Sequence, residues 1–133
     1  IAANGIGNIV VERDGLSDDV LEAEHPALIK IGGDEDNFRV IAKLSQTIER
    51  EHPVLLTEVP PAQRAERDAT MLALMAVLDQ RGYSGLRRHG LRHRWGLAPL
   101  HGAKRALNAV WFHDDFLRRH GQSLQRYGLP TVH

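Results

Sequence analysis

Glu24-His25-Pro26-Ala27-Leu28-Ile29-Lys30-Ile31 returns 27 residues later as Glu51-His52-Pro53-Val54-Leu55-Leu56-Thr57-Glu58. In each copy a proline breaks the preceding structure and a short run of β-favouring residues follows. Runs this apolar point to strands covered on both faces, as in a parallel sheet. The offset fits one strand, one helix and two turns, so the repeat predicts two parallel strands joined by a helical crossover.

The intervening residues supply that helix. Phe38, Ile41, Leu44 and Ile48 recur at helical spacing with Arg39, Lys43, Gln46 and Glu49 opposite, and the start has cap candidates in Asp34, Asp36 and Asn37. After the second run, Pro61 can open a further helix, and Gly82 is its expected stop. In that helix Met71, Leu74, Met75 and Leu78 form one stripe that Leu72 and Val77 widen, which predicts close packing.

On either side the signals are shorter. Ile9 to Glu12 reads as a strand, and Leu16 to Leu21 as a polar turn or single helical turn. Tyr83 to Trp95 reads as a strand running into a loop, and Leu107 to His113 as another strand. Asp114 can cap a helix through Arg119 that Gly121 ends. Strands alternating with helices predict an α/β fold in one domain, residues 1–133, with a mostly parallel sheet and an antiparallel C-terminal strand pair. The first strand of such a sheet has an unpaired edge, which predicts a second copy or a further strand beside it.

Composition removes several classes. The 133 residues are 42% apolar and 26% charged, an ordinary globular balance. There is no cysteine, so disulfides, thiolate catalysis and Cys-ligated zinc are excluded. No apolar run approaches the length of a membrane span, and no signal segment is visible. The lack of cysteine fits a cytoplasmic protein and leaves other compartments open. The chain begins at Ile1 and reads as a piece of something longer.

The zero net charge conceals a split. Residues 1–80 carry 15 acids and 7 bases, while residues 81–133 carry 2 acids and 10 bases. That marks either a basic binding surface or two mutually attractive faces of one domain. The densest basic run, Arg87 to Trp95, could track phosphates with Tyr83 or Trp95 stacking on a base, or lie over an acidic neighbour such as Asp14, Asp18 and Asp19. No zinc-finger, homeodomain or RNA-recognition signature accompanies it, which argues against nucleic acid as partner.

The run Pro26 to Ile31, the helix after it, Pro53 to Val59, the next helix and Gly82-Tyr83 together resemble the C-terminal half of FkbM-type S-adenosylmethionine-dependent methyltransferases. There, a strand reading I-K-I-D-V-E-G precedes a helix, a strand ending in E-V follows, and a G-Y pair closes the next helix. Leu16 to Val20 is similar to the family's L-D-D-L segment, and Asn108 to His113 to its last strand. The resemblance covers roughly residues 9–116. It implies a partial doubly wound, Rossmann-like sheet. It also implies an O-methyltransferase acting on a small-molecule or sugar hydroxyl, with S-adenosylmethionine as cofactor.

Matched residue by residue, Lys30 and Ile31 stand where the family has K and I, and Glu58 stands at the end of the following strand. The family's Asp after the first strand is Gly32 here, and Asp34 is the acid nearest the family's Glu. Ligands of open α/β sheets sit at the carboxyl ends of strands. Glu58 and Asp34 are therefore the candidate catalytic pair, orienting a substrate hydroxyl or taking its proton. Lys30 and Arg92 are the candidate substrate-binding cations. The plain alternatives are that Asp34 caps a helix and that Glu58 is a solvated strand end.

A cofactor turn is missing from this pattern. Ala2 to Asn8 superficially resembles the family's glycine-rich turn, but no strand precedes it, and too few residues separate it from the Leu28 strand for two further βα units. The S-adenosylmethionine site is thus expected outside this chain, in an N-terminal methyltransferase half. The loss of Asp at Gly32 keeps open a non-catalytic structural or interaction domain, and the charge split keeps open a basic anion-binding module.

Two weaker constellations remain. His89 and His93 form H-x-x-x-H, which could start a metal site on a helix with His101 or His113 as third ligand, but the segment reads as strand or loop. His113, Asp114 and Ser84 invite a triad, yet Gly82-Tyr83-Ser84-Gly85 lacks a nucleophile elbow. No metal is expected.

Overall fold

A computed structural model describes residues 17–22, 24–32, 36–59, 64–89, 94–96 and 107–126. Its elements are α1 (Asp18–Leu21), β1 (Leu28–Ile31), α2 (Asn37–Lys43), α3 (Ser45–Glu51), β2 (Val54–Val59), α4 (Arg64–Asp79), β3 (Tyr83–His89), β4 (Arg94–Gly96), β5 (Leu107–His113) and α5 (Asp114–Arg126). The strand expected at Ile9 to Glu12, the turn at Ala2 to Asn8 and the helix start at Pro61 lie outside the described residues.

The two copies of the repeat form β1 and β2, paired in parallel with Leu28 opposite Val54 and Ile31 opposite Thr57. One sheet contains all five strands in the order β1-β2-β5-β3-β4. β5 runs antiparallel to both β2 and β3, and β4 antiparallel to β3. The antiparallel pairing of β3 with β5 agrees with expectation. The sheet as a whole is mixed: β1, β2 and β3 point one way, but only β1 and β2 are parallel neighbours. The cause is insertion. β5 enters between β2 and β3, so every contact it makes is antiparallel.

The main core lies on one face, where Ile29, Ile31, Leu55, Thr57, Ala109, Trp111 and Tyr83 meet Ile41, Leu44, Ile48, Met71, Leu74 and Leu78. Two polar groups are satisfied inside it. Trp111 Nε1 donates to Thr57 Oγ1 at 2.9 Å, and the Tyr83 hydroxyl donates to the Pro53 carbonyl at 2.9 Å. Burial pushes the Tyr83 phenol well above its usual range. Gly85 is required opposite Trp111, because a Cβ there would lie 2.6 Å from the indole Cε3.

The opposite face is thinner. Val110 and Phe112 are buried there among Val54, Leu56, Phe116 and Leu117, with α5 as cover. β1 lies beyond that cover, so Leu28 is 53% exposed and Lys30 is exposed too. The expectation of strands buried on both faces therefore fails for β1, which alternates in and out as the edge strand.

The expected single helix over Phe38 to Ile48 is two helices. Leu44, fully buried at φ −106° and ψ 15°, separates α2 from α3. The Asp18 carboxylate accepts the backbone N–H groups of Gln46 and Thr47 and the Thr47 hydroxyl, at 3.2, 2.8 and 2.7 Å. Those N–H groups leave the continuous ladder and begin a new helix. Asp36 is the cap of α2, accepting from Phe38 and Arg39. Asp18 therefore faces a helix start.

On α4 the buried stripe is Met71, Leu74 and Leu78 with Val77 half-buried, while Leu72 and Met75 are exposed. One stripe suffices because α4 has the sheet on a single side. Gly82 stops it as expected, at φ +77°. Tyr83 to Trp95 contains two strands rather than one. Gly121 does not end α5, which continues to Arg126 and half-buries Leu124. The acceptor at the start of α5 is the His113 ring, whose Nδ1 takes the Asp115 N–H at 3.1 Å, and not Asp114.

Candidate functional site

The parallel strands β1 and β2 end together, and their ends define the carboxyl edge of the sheet. Ile31 pairs with Thr57, and Glu58 follows one residue on, opposite Asn108 of β5. Glu58 is half-buried. Side chains alternate along a strand, so Glu58 shares the α5 face with Leu56. Lys30 pairs with Leu56, which makes Lys30 and Glu58 diagonal neighbours on that face. The sequence-predicted cation and carboxylate are thus brought to one place.

The edge has a residue that the sequence reading credited only as a cap candidate. Asn37, the first residue of α2, is 4% exposed, and its Nδ2 donates to the Glu58 carbonyl at 3.1 Å. Its Oδ1 is buried without a hydrogen-bond partner. A buried amide oxygen left unpaired costs about 1–3 kcal/mol. The signal available in sequence was a polar residue at the head of an apolar helical stripe, which is ambiguous between cap and ligand. Asp36, one residue earlier, takes the cap.

Asp34 and Arg92 lie outside the described residues. His93 and His101 do as well, so the H-x-x-x-H pair cannot be assembled from described residues; His89, its described member, is the last residue of β3. The triad of His113, Asp114 and Ser84 does not form. Tyr83 is the register partner of His113, and Ser84 therefore points to the opposite face of the sheet. The carboxylate bound to the histidines is that of Asp115, 2.9 Å from His52 Nδ1. Burial, with the His52 ring beside it, pushes the His113 imidazole below its usual value against the pull of Asp115 and Asp114.

Comparison with protein-family models, with curated proteins and with solved structures finds no match for this chain. Among the described residues no helix is long and apolar enough to cross a membrane.

Proposed function

We propose that this chain is the C-terminal portion of an S-adenosylmethionine-dependent O-methyltransferase acting on a small-molecule or sugar hydroxyl in the cytoplasm. The observation that carries the reading is the parallel pairing of β1 with β2. It puts Lys30 and Glu58 at the edge where open α/β sheets bind ligands. The antiparallel β5 between two strands that run the other way is what a Rossmann-like sheet with an antiparallel last strand requires, and it adds support.

Methyl transfer asks little covalent chemistry of a protein beyond an aligned approach of nucleophile to methyl carbon. In this reading the Glu58 carboxylate holds the acceptor hydroxyl and takes its proton. The Asn37 amide fixes the end of β2 through the Glu58 carbonyl. Lys30 binds the remainder of the acceptor. Asp34 and Arg92 complete the proposed set. In this reading the S-adenosylmethionine site lies in an N-terminal methyltransferase half, as the resemblance implies.

The test is transfer of labelled methyl from S-adenosylmethionine to a panel of sugars and small hydroxylated molecules by the native polypeptide that carries this chain. Glu58→Gln should lower the rate by at least about 100-fold, the size of a general-base contribution. A rate unchanged by that substitution removes Glu58 from the chemistry. No transfer to any acceptor counts against the enzyme reading itself.

A further inference from the structure

The amino edge of the sheet, opposite the edge that carries Glu58, gathers three side chains from three separate elements. His52 closes α3 in the left-handed conformation at φ 47° and ψ 46°, immediately before Pro53 and β2. His113 is the last residue of β5, and Asp115 lies in the first turn of α5. One ligating atom from each lies within 4.8 Å of the others. Asp115 Oδ2 is 2.9 Å from His52 Nδ1 and 3.7 Å from His113 Nδ1. Two ligands of a tetrahedral zinc ion, each about 2.0–2.1 Å from the metal, stand roughly 3.3–3.4 Å apart. The two separations straddle that spacing.

We propose that His52, His113 and Asp115 bind a divalent transition-metal ion of the zinc class, with water in the fourth position. Two imidazoles and one carboxylate select such an ion over magnesium or calcium, which take all-oxygen sets. The other Asp115 oxygen is held by Arg118, which turns Oδ2 toward the rings. The two imidazoles are stacked with centroids 3.5 Å apart and planes 11° from parallel. Binding tilts them apart so that both lone pairs reach the ion. It also displaces the Asp115 N–H from His113 Nδ1 and replaces the direct contact of His52 Nδ1 with Asp115 Oδ2. His52 and Glu58 are six positions apart along β2 and its lead-in, about 20 Å at strand rise, so the ion acts on structure rather than on the carboxyl edge. It would tie the end of α3 and the end of β5 to the start of α5.

The experiment is titration of the metal-free protein with zinc chloride alone by calorimetry, with cobalt chloride as a spectroscopic probe. One equivalent should bind, with the intense visible absorption of tetrahedral cobalt. His52→Asn, which tolerates the left-handed backbone, and Asp115→Asn should each weaken binding by at least about tenfold. Replacing the exposed His25 or His120 by Ala should leave it unchanged. Absence of stoichiometric binding at millimolar zinc overturns the proposal. Binding that survives both His52→Asn and Asp115→Asn overturns it too, by assigning the ion to other histidines.

Discussion

Replacing Asp18 by Ala tests how the short α1 turn organises the helical layer. The carboxylate accepts three hydrogen bonds from the start of α3, two from backbone N–H groups and one from the hydroxyl of fully buried Thr47. Loss of a helix cap costs about 1 kcal/mol and up to about 2. A buried hydroxyl left without its partner adds roughly 1 kcal/mol or more. The sum is about 2–3 kcal/mol. For a domain of this size, with a urea slope on the order of 1–3 kcal/mol/M, the unfolding midpoint should fall by about 0.7–3 M. Asp19→Ala, at an exposed neighbour, should stay within about 0.5 kcal/mol of the parent.

The same site sets a pH dependence. Burial pushes the Asp18 carboxyl up, but the hydrogen bonds from Thr47 and Gln46 and the charge of Arg50 outweigh it and hold the group below its ordinary 3.8. A carboxylate depressed on folding contributes stability above its unfolded value and loses it as pH falls through the folded one. The gap between parent and Asp18→Ala should therefore be full at neutral pH and shrink below about pH 3.8. A midpoint shift under about 0.3 M at neutral pH, or a gap that widens in acid, would refute this account of the α2–α3 break.

Other substitutions probe the sheet. Gly85→Ala drives a methyl into the ring of Trp111, which is 1% exposed and has no room to move, and should cost about 1–3 kcal/mol in a denaturant titration. Thr57→Val leaves the Trp111 indole N–H without an acceptor and should destabilise by about 1–3 kcal/mol, with a change in near-ultraviolet circular dichroism. Met75→Gln on the exposed side of α4 should be nearly neutral, whereas Leu78→Gln, which buries an amide in the main core, should cost several kcal/mol by the same measurement.

What was legible in the sequence was periodic or repeated. The Pro-led repeat located β1, β2 and their common direction because a proline breaks structure locally wherever it stands. The stop at Gly82 was equally local. Features that depend on distant partners were not visible. The break at Leu44 comes from a carboxylate 28 residues away from Gln46, and the insertion of β5 reverses neighbours that the strand list alone would leave parallel. The exposure of Leu28 and Lys30 follows from β1 being an edge, which pattern does not reveal. At the candidate site, the repeat placed Lys30 and Glu58 on neighbouring strands but not on one face, because the observed register sets Lys30 opposite Leu56, one position off the repeat's own alignment. Asn37 could not be placed, since its role rests on a hydrogen bond to the next strand. The meeting of His52, His113 and Asp115 joins residues up to 63 positions apart and follows from the register of β5 alone.

The account stands most directly on S-adenosylmethionine binding, measured by calorimetry on the native polypeptide that carries this chain and on residues 1–133 alone. It predicts saturable one-to-one binding by the former and none by the latter. Native polypeptide that takes up no cofactor, or an isolated chain that binds it as tightly, would contradict it.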